Sequence, residues 1–230
     1  MMPVAPLTDS GSLLAHHPIG ASTGFLVEAR GDWPTLAEQA IALSAFTAEL
    51  AALSEDELPG LLTFLQTSPQ LPFNYLSVHG PSKNLNMAEA KLVDALNRLP
   101  ASVDAIVMHP DVIDDTATLR RLGSRLVLEN MDTRKATGRT AEQLAPLFEQ
   151  LPDAGLCLDV AHARDADPTM TLAHDLLDRF AGRLRHLHVS SLDADGHHVP
   201  LTEDDLEAFR PVLDRCRDVP WILEAPLPTA

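Results

Sequence analysis

The chain has 230 residues, 45% of them hydrophobic, and its 17 Lys and Arg against 33 Asp and Glu leave a formal net charge of −16. This length, with a mean hydropathy of −0.01, suits one large soluble α/β domain with a full core and no membrane span. The charge disfavours extended nucleic acid as a partner, unless bound divalent cations supply local positive charge that a residue count does not register.

Cys157 and Cys216 form neither a disulfide framework nor a Cys-x-x-Cys metal site and are expected to be reduced and buried. The N-terminus lacks a basic region followed by an apolar run, so the cytoplasm is the expected compartment. A single domain is expected over 1–230, with 1–17 as a loose leader.

In chain order, Ile19–Leu26 reads as a first strand and Trp33–Leu43 as a helix with Pro34 in its first turn, where a missing N–H costs least. Phe46–Leu50 reads as a second strand. Ser54-x-x-Glu57 reads as a capping box ahead of Leu58, Leu61, Leu62 and Leu65. Tyr75–Gly80 is a third strand that ends in His79. Asn86-x-x-Glu89 is expected to cap a helix with Leu92, Leu96 and Leu99 on one face, and the continuously apolar Ala105–Met108 runs into His109.

A short helix over Thr116–Leu122 precedes the strand Leu126–Asn130, which carries Glu129. Thr140-x-x-Gln143 caps a helix with Leu144, Leu147, Phe148 and Leu151 inward. Leu156–Ala163 is an apolar run ended by Asp159 and His162. Thr171–Phe180 reads as helix, Leu184–Ser191 as a strand carrying His186 and His188, and Thr202–Cys216 as a helix with Leu206, Phe209 and Leu213 inward. Pro220–Leu223 is an eighth strand, followed by Glu224.

Eight strands alternating with seven helices, with chemistry-bearing residues at the strand C-termini, predict a (β/α)₈ TIM barrel whose active site lies on that face. The eighth outer helix is missing, so something else, such as a second copy of the chain in a homo-oligomer, must cover the flank beside strands eight and one.

Folding would bring His79, His109, Glu129, Asp159, His188 and Glu224 to one rim. Three imidazoles and three carboxylates suit Zn²⁺ or Mn²⁺, whereas the carboxylates alone would repel one another. If these six point into the mouth, strand alternation turns Ser77, Val107, Val127, Cys157, His186 and Ile222 into the barrel as well. His162, just past the strand that carries Asp159 and in reach of the same mouth, and Asp195, His197 and His198 on a later loop are candidates for a second or third ion. The loop residues also suit a solvated Asp-Gly turn.

His186 is read as an interior hydrogen-bonded histidine, while Glu49 stays open between the mouth and mere structure. His16 and His17 are expected to be exposed and His174 to lie on the surface. Lys83, Arg134, Lys135 and Arg164 fall in loops where an anionic group would lie, or are simply solvated.

The motifs His79-Gly-Pro, His109-Pro, Leu128-Glu129-Asn130, Leu158-Asp159-Val160-Ala161-His162, His186-Leu187-His188-Val189 and Leu223-Glu224 resemble, in order, those of the xylose-isomerase-like TIM-barrel superfamily (AP endonuclease family 2). They are most similar to its endonuclease IV branch. That resemblance implies up to three zinc ions that cleave a phosphodiester. His79 and His109 would sit on one ion, with Glu129 bridging to a second that Asp159, His188 and Glu224 complete.

A third ion would fall to His162 with Asp195 and His197, although Leu201-Thr202-Glu203-Asp204 replaces the family's Gly-Glu-Gly turn, and alignment on that turn selects His198 instead. The sugar isomerases and epimerases of the same superfamily keep equivalents of Glu129, Asp159, His188 and Glu224 around one metal, with the two glutamates as acid and base. The expected function is therefore a metal-dependent hydrolase that cleaves a phosphoester with a metal-bound hydroxide and acts on a small anionic substrate rather than long duplex DNA. The alternative is a sugar or sugar-phosphate isomerase/epimerase.

Overall fold

Strands whose outward residues are apolar need a second layer to cover them, and the helices of this chain supply it. The computed structural model describes residues 17–83 and 85–226. Its strands are β1 (Ile19–Ser22), β2 (Thr47–Ala51), β3 (Tyr75–His79), β4 (Ala105–Met108), β5 (Leu126–Glu129), β6 (Gly155–Asp159), β7 (Leu184–Val189), a short hairpin β8 (Ser191–Leu192) and β9 (His198–Val199), and β10 (Trp221–Leu223). Eight of them pair in parallel and close in the order β1-β10-β7-β6-β5-β4-β3-β2, so the chain is a TIM barrel.

The helices are α1 (Trp33–Leu43), α2 (Leu58–Gln66), α3 (Glu89–Leu96), α4 (Thr116–Leu119), α5 (Ala141–Gln150), α6 (Val160–Ala166), α7 (Thr171–Phe180) and α8 (Glu203–Arg215). The expected seven become eight because α6 and α7 both lie between β6 and β7. Among the described residues no helix follows β10, and no helix is long and apolar enough to cross a membrane.

Side chains alternate between two cores, as the period-2 geometry of strands requires. Leu50, Val78, Ile106, Leu128, Leu158, Leu187 and Trp221 point outward into the layer shared with the helices. Ala105, Val107, Val127 and Cys157 form a separate apolar cluster inside the barrel, with Tyr75 against it. Both cysteines are buried and unpaired. The other side of the interior is polar and holds Glu49, Ser77, His186 and His188, all of them fully buried.

Several element boundaries differ from the sequence reading, each for a local reason. β1 stops at Ser22 instead of continuing to Leu26, because the Ser22 hydroxyl takes the Gly24 N–H and starts a 3₁₀ turn. The run Leu156–Ala163 is strand only to Asp159, whose carboxylate accepts the His162 N–H at 2.7 Å and so caps α6. The strand read over Leu184–Ser191 ends at Val189, and Ser191 opens the hairpin. Thr116–Leu122 divides into α4 and a 3₁₀ segment that reverses at Gly123, where φ is 60°.

Of the three caps expected, only Thr140 with Gln143 on α5 is complete, and α8 has a further box that was not expected, Thr202 with Asp205. Ser54-x-x-Glu57 is only half a box. Glu57 takes the Ser54 N–H at 3.0 Å, but Ser54 does not cap α2. Asn86-x-x-Glu89 does not cap α3; the Glu89 carboxylate instead receives the N–H groups of Asp114 and Asp115 in the next loop.

His16 lies outside the described residues. His17 is not exposed: its ring stacks on Trp221 with centroids 3.7 Å apart, and its Nε2 donates to the Val219 carbonyl at 2.8 Å. The edge of the barrel near β1 and β10 is thereby partly covered from within the chain.

Candidate metal centre

Parallel strands all end at the same rim, so residues separated by a whole βα unit in sequence become neighbours there. Four imidazoles surround the Glu129 carboxylate, with His79 Nε2 and His109 Nε2 each 3.2 Å from Oε2, and His162 Nδ1 and His188 Nδ1 each 3.3 Å from Oε1. Glu129 is 1% exposed. Burial opposes its charge, but His188 and His109 outweigh that and hold it well below the carboxylate range.

Three contiguous donor groups result, with the potential ligand atoms of each within 4.8 Å of one another. They are His79, His109 and Glu129; Glu129, Asp159, His188 and Glu224; and Asp159, His162 and His198. Glu129 belongs to the first two and Asp159 to the last two. His198, and not His197, therefore joins the rim: its Nδ1 lies 2.7 Å from Ser190 Oγ and 3.4 Å from Glu224 Oε2. Asp195 and His197 sit apart with Asp193, exposed at the tip of the β8–β9 hairpin. Hydrogen bonds from the Asp195 and His197 N–H groups to the Asp193 side chain organise that tip as a turn.

The donor set fits cations on its own chemistry. His79 donates from Nδ1 to the Gly80 carbonyl at 2.8 Å, so in the neutral ring the Nε2 lone pair faces the Glu129 oxygen, acceptor against acceptor. Such a contact needs either a proton or a metal between the two atoms. Asp159 Oδ2 and Glu224 Oε2 are buried without a hydrogen-bond partner, and orphaned oxygens of this kind mark places for an ion or a water.

Protonation at the rim follows from the same crowding. Burial, together with Asp159 and Glu129 and against the pull of His188, keeps Glu224 protonated far above the usual carboxylate range. Burial works against a charged His162, yet Asp159 and Glu129 raise it to about 10. Burial lowers His198 to about 4.

Supporting contacts fix the candidate ligands. Asn130 joins β5 to β6 by donating from Nδ2 to the Asp159 carbonyl at 2.9 Å while its Oδ1 accepts the Asp159 N–H at 2.8 Å, and its own carbonyl holds His162 Nδ1 at 2.9 Å. Asp132 lies 3.7 Å from His162 Nε2 and is clamped by Arg134. Glu49 is inside the barrel, and His186 beside it faces the Tyr75 hydroxyl at 2.8 Å.

Sequence reading missed Asp132 and the bracing by Asn130. The only available signal was their position immediately after Glu129, in a stretch that reads as a turn. The basic loop residues are committed to acids: Arg134 to Asp132, Lys135 to Asp111 and Arg164 to Asp205, while Lys83 is exposed. His174 is partly exposed on α7 beside Arg215.

Comparison with known proteins finds no match among curated proteins. A family model described as xylose isomerase-like TIM barrel matches residues 111–229, more than half of the chain and all of the rim from Glu129 to Glu224. His79 and His109 precede the matched stretch and enter the site through the barrel's closure. With its closed parallel barrel and this match, the chain belongs to the xylose isomerase-like TIM-barrel family.

Proposed function

We propose that the chain is a divalent-cation-dependent hydrolase that cleaves a phosphoester, with zinc or manganese held by His79, His109, Glu129, Asp159, His162, His188, His198 and Glu224. The observation that carries this reading is the sharing of Glu129 and Asp159 between adjacent donor groups, since a carboxylate common to two groups is what would hold neighbouring cations close together. When bound, the cations would supply Lewis acidity toward a phosphoryl oxygen and lower the pKa of a water.

The chain's own residues do the rest. Glu129, gripped from four sides, sets the spacing of the groups. Asp159 contributes a ligand oxygen while its other oxygen caps α6, and Asn130 locks its backbone. Because Arg134, Lys135 and Arg164 are already paired with acids, cations at the rim are what would meet an anionic substrate. In a chain of net charge −16, that arrangement favours a small phosphoester over long duplex DNA.

One observation favours a second reading, a sugar or sugar-phosphate isomerase/epimerase. Glu129 and Glu224 lie 3.3 and 3.5 Å from the same His188 Nδ1 and are driven in opposite directions, one ionised and one protonated, as a base and an acid would be.

Metal content per chain by elemental analysis, with His109→Ala, separates the two. The hydrolase reading expects His109→Ala to lose about one metal equivalent and most phosphoesterase activity. A variant that keeps its full metal content and still interconverts ketoses would establish the isomerase instead.

A further inference from the structure

We propose that Glu49, on β2, a strand that carries none of the proposed ligands, is a positioning residue for the metal centre: it holds His188 with its Nε2–H turned into the barrel, so that Nδ1 is presented to the rim. This rests on the metal-binding reading above.

Glu49 is the middle residue of β2, and its neighbours Ala48 and Leu50 point out into the helical layer, so its side chain points in. It is 0% exposed. The hydroxyls of Ser22 and Ser77, from the strands on either side, donate to its two oxygens at 3.3 and 2.9 Å and fix the plane of the carboxylate. Oε2 then lies 3.2 Å from His188 Nε2 across the interior.

The arrangement solves for His188 a problem that the backbone solves for two other rim histidines. His79 Nδ1 donates to the Gly80 carbonyl and His162 Nδ1 lies against the Asn130 carbonyl, and each contact decides which ring nitrogen keeps its hydrogen. For His188, on a straight run of β7, the acceptor is a carboxylate from across the barrel. His186 does not compete for it. Its Nδ1 is engaged with the Tyr75 hydroxyl, and its Nε2 stays 3.9 Å from Glu49, beyond a hydrogen bond. Partners that orient a ligating imidazole in this way strengthen metal binding by about 10- to 100-fold.

The test uses the full chain stripped by chelator and titrated with Zn²⁺. In the zinc-loaded protein, ¹⁵N shifts of the His188 ring are expected to place the hydrogen on Nε2 and the metal on Nδ1. Metal on Nε2 overturns the proposal without any substitution. Glu49→Ala is expected to bind Zn²⁺ about 10- to 100-fold more weakly, and Glu49→Gln, whose amide oxygen still accepts from Nε2–H, to recover part of that loss. Unchanged affinity in Glu49→Ala, or a Gln variant no better than Ala, overturns it. If the unsubstituted chain binds no Zn²⁺, the metal reading itself fails, a result distinct from zinc binding that ignores Glu49.

Discussion

Four histidines depend on one carboxylate, and that makes Glu129 the most sensitive position in the chain. Glu129→Gln is expected to keep the barrel, read by circular dichroism, while losing metal and turnover. In the metal-free state it should also cost about 3 kcal/mol, because the buried rings whose charged form is favoured, His79, His162 and His188, lose their counter-charge; unchanged turnover would remove Glu129 from the site. His162 sets a pH dependence of definite sign. Its folded-state pKa of about 10 exceeds the unfolded value near 6.5, so in the metal-free protein the charged ring stabilises fully below about pH 6.5, and that contribution is lost as pH rises toward 10. Cation binding needs the neutral ring, so loading at pH 7 should release protons. Calorimetric heats that vary with the ionisation enthalpy of the buffer would report this; heats indifferent to the buffer would take His162 out of the ligand set. Residues of the Glu129 type were legible in the sequence because each is the polar end of an apolar run. Glu49 was not, since the alternating Thr-Ala-Glu-Leu-Ala of β2 does not say which face is interior. Only closure of the barrel decides that a mid-strand glutamate points at a histidine 139 positions away.

At the scale of elements, the same four-residue pattern had two outcomes. Thr140 and Thr202 precede runs that continue as helix from the next residue, so hydroxyl and backbone are in register. After Ser54 a full turn intervenes before α2, and the pattern closes that turn instead. Thr140→Ala should therefore cost about 1 kcal/mol in urea denaturation, whereas Ser54→Ala should be nearly neutral; equal costs would contradict the assignment of the caps. Gly20 is constrained differently. A Cβ there would come within 2.0 Å of the Thr47 carbonyl oxygen in the adjacent strand, and neither backbone can move without opening the β1–β2 seam. Gly20→Ala is expected to destabilise by more than about 2 kcal/mol, visible as a lower midpoint in the same assay. Neither the half-formed box nor this close approach can be read from the sequence alone, because both depend on what the next element packs against.

For the molecule as a whole, the barrel itself was the most legible feature, since the βα alternation recurs along the entire chain and closure follows from the repeat. The proposed metal dependence should be visible as stability. Removing cations leaves Glu129, Asp159 and Glu224 facing one another, and ligand linkage predicts a loss of about 4 kcal/mol relative to a thousandfold excess over Kd. A melting temperature indifferent to EDTA and to added zinc would count against a resident metal.

The Asn130 brace bears on how the protein ages. Deamidation would replace one NH₂ by an oxygen, so that the group donating to the Asp159 carbonyl would instead repel it, and the stretch leading into the proposed ligand Asp159 would lose its fastening. In the folded chain the reaction is blocked, because the Asn130 side chain is engaged at both ends and the Met131 N–H that would have to attack it is committed to the Gly138 carbonyl at 3.0 Å. Unfolding releases both restraints together. Time spent unfolded, rather than time elapsed, should then set how much of a stored sample can still rebuild its rim, and a preparation cycled through denaturant should accumulate Asp at position 130 faster than one held native.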